Sequence, residues 1–265
     1  MIAEIYWLLP AFFLVAFTYA MAGFGGGSSY LALLALTALP TVEMRATALL
    51  CNLVVAGGGV WHFSRAGKMP WKPALPLVLL SVPAAYLGGS ITLPRDQFLL
   101  LLALVLLFAA GAMWWQTTGQ RKPSNAAPIR SEAGELASAG FLGGGLGFLA
   151  GLVGIGGGIF LSPVLFLRQW APARSIAAVT SLFIFVNSLA GLAGQYSVLG
   201  AGPDSYRGQV QWFLVGCLMV AVFMGGQMGT RLSVNRLKPT NIRRIAAALI
   251  FLVALRLLAR HFGVW

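Results

Sequence analysis

The sequence predicts an all-α polytopic membrane protein made of two inverted repeats, each holding a glycine-rich broken or re-entrant helix. Three observations predict it. Charged residues are 9% of the chain and hydrophobic residues 58%, whereas a soluble chain needs about 25% charge to wet its surface. Apolar runs recur along the chain, each close to the roughly 20 residues that a helix needs to cross a bilayer. A glycine triplet leads into a short apolar segment once in each half, at 25–27 and at 156–158. So few charges in so apolar a chain also exclude disorder.

The elements follow in order. Eight long apolar segments cover about 5–22, 44–63, 74–92, 97–116, 136–153, 175–197, 209–230 and 242–260. The first resembles a secretory leader, since Ala20-Met21-Ala22 could be a cleavage site. The opening residues carry Glu4 and no Lys or Arg, however, so residues 5–22 are read as part of the mature fold. Two segments are short, 28–39 and 159–169. At 1.5 Å per residue, a helix of about 11 residues covers about half the hydrocarbon core. Each is a half-helix, the return limb of a re-entrant hairpin, or a shortened span. Residues 117–134 are polar, contain Pro123 and Pro128, and form the one linker. The chain divides into a first repeat (1–116), this linker (117–134) and a second repeat (135–265).

Internal matches support duplication. Gly23-Phe24-Gly25-Gly26-Gly27 aligns with Gly154-Ile155-Gly156-Gly157-Gly158 at an offset of 131. Asn52 aligns with Asn187, Gly59 with Gly194 and Trp61 with Tyr196 at an offset of 135, and Gly89-Ser90 matches Gly229-Thr230. The four-residue difference between offsets is about one helical turn.

Charge sets the orientation. The net charge of +12 comes from basic residues in short loops, with no basic stripe or RNA-binding motif, so no nucleic-acid partner is expected. Arg65, Lys68 and Lys72 mark one cytoplasmic loop, Arg121, Lys122 and Arg130 mark the linker as cytoplasmic, and Arg231, Arg236, Lys238, Arg243 and Arg244 mark a third. The loops at 92–96 and 198–208 balance Arg95 with Asp96 and Arg207 with Asp204, and fall outside. The loop after the second long helix is then inside in one half and outside in the other. Inversion requires an odd number of crossings per half: five plus five, or three plus three with two hairpins. Arg256, Arg260 and His261, which this scheme places outside, run against it.

Candidate site residues follow from the broken helices. Backbone at membrane depth must be buried in protein or line a watery cavity. Glycine allows such turns. A helix beginning at 28 aims the N–H groups of Gly27, Ser28 and Ser29 from its positive end, which suits an anion. Gly25 and Gly26 form the turn, and Ser28 and Ser29 add hydroxyls. In the second half Gly156, Gly157 and Gly158 do the same, but Ile159 and Phe160 bring no side-chain donor. The rival reading is close helix packing through small residues. Asn52 and Asn187, with Thr180 and Ser181 two turns before the latter, are polar groups inside apolar spans. They either line the site or join helices. Arg45 and Arg174 begin the third segment of each half; they attract anions or snorkel to the interface. Trp61, Trp71, Trp114, Trp115, Trp170 and Trp212 form an interfacial belt.

Other chemistry lacks its parts. No span carries Asp or Glu near its middle; Glu43 sits at an entrance, and His62 is near a helix end. There is no HExxH, P-loop or paired-carboxylate motif, so no catalytic residue, metal or cofactor is expected. Cys51 and Cys217 lie in apolar runs and give no metal or disulfide spacing.

The motifs Gly23-Phe24-Gly25-Gly26-Gly27, Ala46-Thr47-Ala48-Leu49-Leu50-Cys51-Asn52, Gly151-Leu152-Val153-Gly154-Ile155-Gly156-Gly157-Gly158 and Ala177-Ala178-Val179-Thr180-Ser181 resemble the TauE/SafE family of sulfite exporter-like proteins, also called the toluene sulfonate uptake permease family. The resemblance spans nearly all of the chain except the linker. It implies a multi-pass transporter of the bacterial inner membrane that carries small sulfur-containing or organic anions such as sulfite, sulfonates or sulfoacetate. These motifs mark the family rather than the substrate. The second half lacks the Ser28-Ser29 pair, so an asymmetric site is expected. The combined expectation is a secondary anion transporter working by alternating access between the glycine turns. An anion channel of the same architecture, or less readily a membrane-embedded lipid-modifying enzyme, are its rivals. Partners are a small anion and membrane lipid. The coupling ion, the direction of transport and assembly into a homo-oligomer stay open.

Overall fold

Proline and glycine punctuate an otherwise continuous apolar pattern, and the structure breaks where they fall. The computed structural model describes residues 6–21, 25–118, 133–168, 170–199, 211–233 and 239–262. Ten helices run through them: α1 (Leu8–Met21), α2 (Gly27–Ala35), α3 (Thr41–Arg65), α4 (Trp71–Ser90), α5 (Arg95–Thr118), α6 (Ala133–Val153), α7 (Gly158–Leu167), α8 (Ala173–Leu199), α9 (Trp212–Ser233) and α10 (Pro239–His261). Pro40, Pro70, Pro94 and Pro172 each directly precede a helix, and Pro239 opens one. A proline at that place loses no helical hydrogen bond and has its φ already set. Among the described residues there is no strand.

The eight long segments expected from the sequence are α1, α3, α4, α5, α6, α8, α9 and α10, and the two short ones are α2 and α7. Five described stretches are long and apolar enough to cross a membrane: Thr41–Arg65, Trp71–Ser90, Arg95–Ala112, Arg174–Val198 and Trp212–Gly229. By contrast α2 has 9 residues and α7 has 10, which reach roughly 14–15 Å at 1.5 Å per residue. Neither could span alone. Most of the linker, Gly23, Phe24 and the loop holding Asp204 and Arg207 lie outside the described residues.

Large apolar side chains face outward along the spans. Leu79, Leu87, Phe108, Phe213, Phe223 and Leu252 are all more than half exposed. In water such a surface would aggregate; in a bilayer it meets lipid tails. Trp61, Trp71, Trp114 and Trp212 are exposed near helix ends, as an interfacial belt requires.

Packing pairs the helices in a two-fold pattern. Helix α4 lies on α6 and α8, while α9 lies on α1 and α3. Helix α2 lies on α3 and α10, while α7 lies on α8 and α5. Exchanging α1–α5 with α6–α10 reproduces each of these pairs. The self-paired contacts, α3 with α8 and α5 with α10, run through the centre. Helix α8 is the most enclosed span, with 61% of its window buried against 33–39% for the others.

Glycines make the contacts between the two halves. Gly143, Gly147 and Gly151 of α6 sit on the carbonyls of Leu77, Ser81 and Ala85 of α4. A Cβ on Gly147 would lie 2.5 Å from the Ser81 oxygen. Gly225 and Gly229 of α9 sit likewise on the carbonyls of Phe13 and Phe17 of α1. Four-residue spacing keeps these glycines on one helix face, so the backbones meet directly; in lipid, where hydrophobic burial drives little association, such packing holds helices together. Close packing through small residues holds at these positions, and Gly27 and Gly158 of the triplets are packed as tightly.

Candidate functional site

The triplets do something more. Gly26 precedes α2 with φ 96°, and Gly157 precedes α7 with φ 80°. Both are left-handed, a conformation that costs an L-residue about 1–2 kcal/mol and glycine nothing. Each turn leads into a helix whose first residue is buried. The Gly26 carbonyl accepts from the Tyr30 N–H at 3.0 Å, and the Gly157 carbonyl accepts from Leu161 at 3.1 Å. These are the first turns of α2 and α7. The N–H groups of Gly27, Ser28 and Ser29, and of Gly158 and Ile159, have no carbonyl to reach within their helices.

Both helix starts open on one cavity. The first half contributes Tyr19, Gly25, Gly26, Gly27, Ser28 and Asn52 to its wall. The second contributes Ile155, Gly158, Ile159, Ser162, Pro163 and Ile184. The cavity offers about 30 Å³ to the centres of water-sized molecules, above the roughly 10–15 Å³ that one water requires. That is room for an ion of a few heavy atoms.

Asn52 joins the halves. Its Nδ2 donates to the Ile155 carbonyl at 2.9 Å. Since that carbonyl can only accept, the amide orientation is fixed, and Oδ1 is left without a partner among the described residues. Gly27 is packed so closely that a Cβ there would lie 2.6 Å from the Ile155 oxygen and collide with the Asn52 amide. The Ser162 hydroxyl, on a residue 2% exposed, also has no partner among the described residues. Buried polar atoms normally find one, because leaving one unmade costs about 1–3 kcal/mol. Two such atoms in one cavity wall suit a bound polar ligand.

The remaining site candidates are distributed unevenly. Ser29 donates to the Tyr19 hydroxyl at 2.9 Å and so is held back from the cavity wall. A Cβ on Gly156 would press on Ser188 Oγ at 2.7 Å, and one on Gly157 would press on Phe183 at 2.7 Å; both glycines shape the turn without lining the cavity. Ser181 bonds back to the Ala177 carbonyl at 2.9 Å and packs against Gly59. Thr180 Oγ1 and both amide atoms of Asn187 are buried without a partner among the described residues, and neither residue lines the cavity. The matched asparagines are therefore not equivalent. The backbone equivalent of Ile155 is Phe24, which lies outside the described residues.

The two arginines also differ. Arg174 is exposed at the start of α8. Arg45 is 1% exposed and does not snorkel. Its Nη1 donates to the Ile91 carbonyl at 3.0 Å, and its Nη2 faces the carbonyls of Gly151 at 2.9 Å, Gly89 at 3.2 Å and Gly88 at 3.5 Å. Those carbonyls end α4 and α6, where helix dipoles leave partial negative charge. A planar fork of donors fits several carbonyls at once. Arg45 thus clamps the first half to the second.

Sequence reasoning missed Tyr19, Ser162 and Ile184 as wall residues. For Ser162 a signal existed. It lies three residues after Ile159, the counterpart of Ser28, and so one turn along the same face. It supplies the hydroxyl that the second half lacked at 159 and 160.

Residues 8–257 match the family described as Sulfite exporter TauE/SafE. The "Probable membrane transporter protein y4hK" of Sinorhizobium fredii is 33% identical over 251 residues, 95% of this chain and 97% of that protein. The "Probable membrane transporter protein MJ0441" of Methanocaldococcus jannaschii is 22% identical over 95% of this chain and 96% of its own length. The "Probable membrane transporter protein YunE" of Bacillus subtilis is 33% identical over 109 residues, 40% of this chain and 36% of its own. No solved structure matches. With a multi-pass apolar architecture, a family match over nearly all of its length and a full-length relative at 33% identity, the chain belongs to the TauE/SafE family of membrane transporters.

Proposed function

We propose that the protein is a secondary transporter of small sulfur-containing or organic anions, of the sulfite and sulfonate class, across a bacterial inner membrane. One observation carries this reading. Two short helices from opposite halves begin at one cavity whose wall holds Ser162 Oγ and Asn52 Oδ1, both without a partner among the described residues. Helix starts concentrate backbone donors and partial positive charge, and paired broken helices are a known way to build a midplane transport site. Gly25, Gly26 and Gly27 with Ser28 form one side, and Gly158 with Ser162 forms the other. Gly156 and Gly157 shape the second turn, and Ser29, Thr180, Ser181 and Asn187 support it from behind. Arg174 draws anions from its exposed position, whereas the Arg45 charge is met by the partial negative charge at the ends of α4 and α6.

The binding test uses purified protein. Thermal stabilisation by sulfite or small sulfonates, and none by amines or neutral sugars, is the expected result through linkage. Ser28→Ala should weaken that binding by about 1 kcal/mol, the usual worth of one hydrogen bond. Stabilisation by cations alone would overturn the reading.

Alternating access in this reading rests on an inverted repeat, with α1–α5 and α6–α10 in opposite orientations and the two short helices entering from opposite faces. The matched pairing of the helices supports it. With Cys51 and Cys217 replaced by Ser, a single cysteine at Gly67, after α3, should be protected from a membrane-impermeant thiol reagent in intact cells. One at Gly202, in the loop after α8, should be labelled. Equal labelling of both would indicate parallel repeats and remove the inverted site.

A further inference from the structure

The charge and hydrogen-bonding inventory of the cavity specifies which form of an oxyanion it holds. Among the described wall residues none carries a charged side chain. The positive potential comes from the starts of α2 and α7, each equivalent to about half an elementary charge, or roughly one charge together. The buried cation on the same helix as Asn52 is Arg45. It lies seven residues away, roughly 10 Å along α3, and its donors are spent on backbone carbonyls. One unit of negative charge is therefore matched, and a second would be buried without compensation, which is costly in a site of low dielectric.

The wall also contains an unmatched acceptor. Asn52 is fully buried, its Nδ2 is fixed on the Ile155 carbonyl, and its Oδ1 has no donor among the described residues. That oxygen sits by the cavity-lining backbone, 3.4 Å from where a Cβ on Gly25 would be and 2.7 Å from one on Gly27. An oxyanion without an O–H offers only acceptors and leaves that oxygen unmet, so a sulfonate, which fits the charge, binds less tightly than a protonated oxyanion. An oxyanion that keeps one O–H would donate to it, while its other oxygens take the Ser28 and Ser162 hydroxyls and the helix N–H groups.

We infer that the site selects the singly protonated monoanion of an oxyacid, with its O–H donated to Asn52 Oδ1, and rejects the dianion. For sulfite this is the hydrogen sulfite form. The inference rests on the anion-transport reading above and adds the protonation state. Affinity then depends on pH through the ligand's proton rather than through a titrating side chain in the wall.

The test compares sulfite with selenite on the purified wild-type protein by calorimetry across pH 5.5–9.5. The two have similar shapes, and selenite keeps its second proton to higher pH. The expected result is that affinity, per total ligand, falls about tenfold per pH unit above each ligand's own second pKa, with the selenite curve displaced to higher pH. Affinity that is flat, or that rises as the dianion accumulates, overturns the inference and leaves the anion site intact. Curves that break at the same pH for both ligands also overturn it, because the proton would then belong to the protein. Absence of binding by either anion at every pH removes the transport-site reading itself, and the inference with it. As a check that the cavity is the locus, Ser162→Ala should lower affinity for both anions about fivefold without moving either break. An unchanged affinity in that variant would place the ligand elsewhere and overturn the assignment.

Discussion

Arg45→Ala should lower the melting temperature of the detergent-purified protein by about 10 °C or more, or prevent recovery of folded protein. The guanidinium is enclosed, and it meets the carbonyls of Ile91, Gly89, Gly88 and Gly151. Hydrogen bonds to a charged group are worth about 1.5–3 kcal/mol each. Alanine also leaves a void and strands acceptors at the ends of α4 and α6. Even two strong bonds lost amount to about 3 kcal/mol or more, and 1 kcal/mol moves a chain of this size by roughly 2–4 °C. Arg45→Lys should fall between, since a single ammonium cannot span the same set of carbonyls. Arg174→Ala, at an exposed position, serves as the control and should melt like the wild type. Wild-type melting of Arg45→Ala would show that the clamp contributes nothing.

Gly26→Val should abolish transport, by at least about tenfold, while leaving the protein folded. At φ 96° a β-branched residue is strongly disfavoured. The new Cβ would also lie 3.0 Å from the Tyr30 ring and 3.1 Å from Val15. Relief requires the start of α2 to move, which displaces Gly27 and Ser28 from the cavity. A factor of ten needs only about 1.4 kcal/mol, and the left-handed conformation alone costs about that. Gly111→Ala, where nothing lies within 4 Å, should transport normally. Flux in reconstituted vesicles, read beside the elution profile of each variant, separates lost transport from lost folding. Normal flux through Gly26→Val would mean that the first glycine turn is not part of the site.

The fold was legible because membrane helices announce themselves by length and apolarity, and all ten segments appear as helices. The short pair was legible for the same reason, since a triplet of glycines followed by too few residues to cross cannot be an ordinary span. Asn52 was legible as a polar residue with no reason to sit in lipid. The rest depended on contacts between halves. Tyr19 reads as one more aromatic in an apolar run, and only the packing of α2 against α1 places it in the cavity wall. Ile184 lines the cavity while Asn187 and Thr180 on the same helix do not, which spacing along α8 does not reveal. For Arg45, position in the sequence gave an interfacial cation; burial arises because α4 and α6 end beside it.

Counterflow in reconstituted vesicles tests the central claim most directly. Vesicles loaded with a high concentration of unlabelled sulfite are diluted into medium with a trace of radiolabelled sulfite. A transporter with one anion site that alternates between faces should take up label transiently above the outside concentration, then release it. The overshoot should vanish in Gly26→Val vesicles. Label that only equilibrates, together with single-channel currents in planar bilayers, would contradict alternating access and indicate a channel. Uptake no greater than in protein-free vesicles, for sulfite and for small sulfonates alike, would contradict the anion site itself.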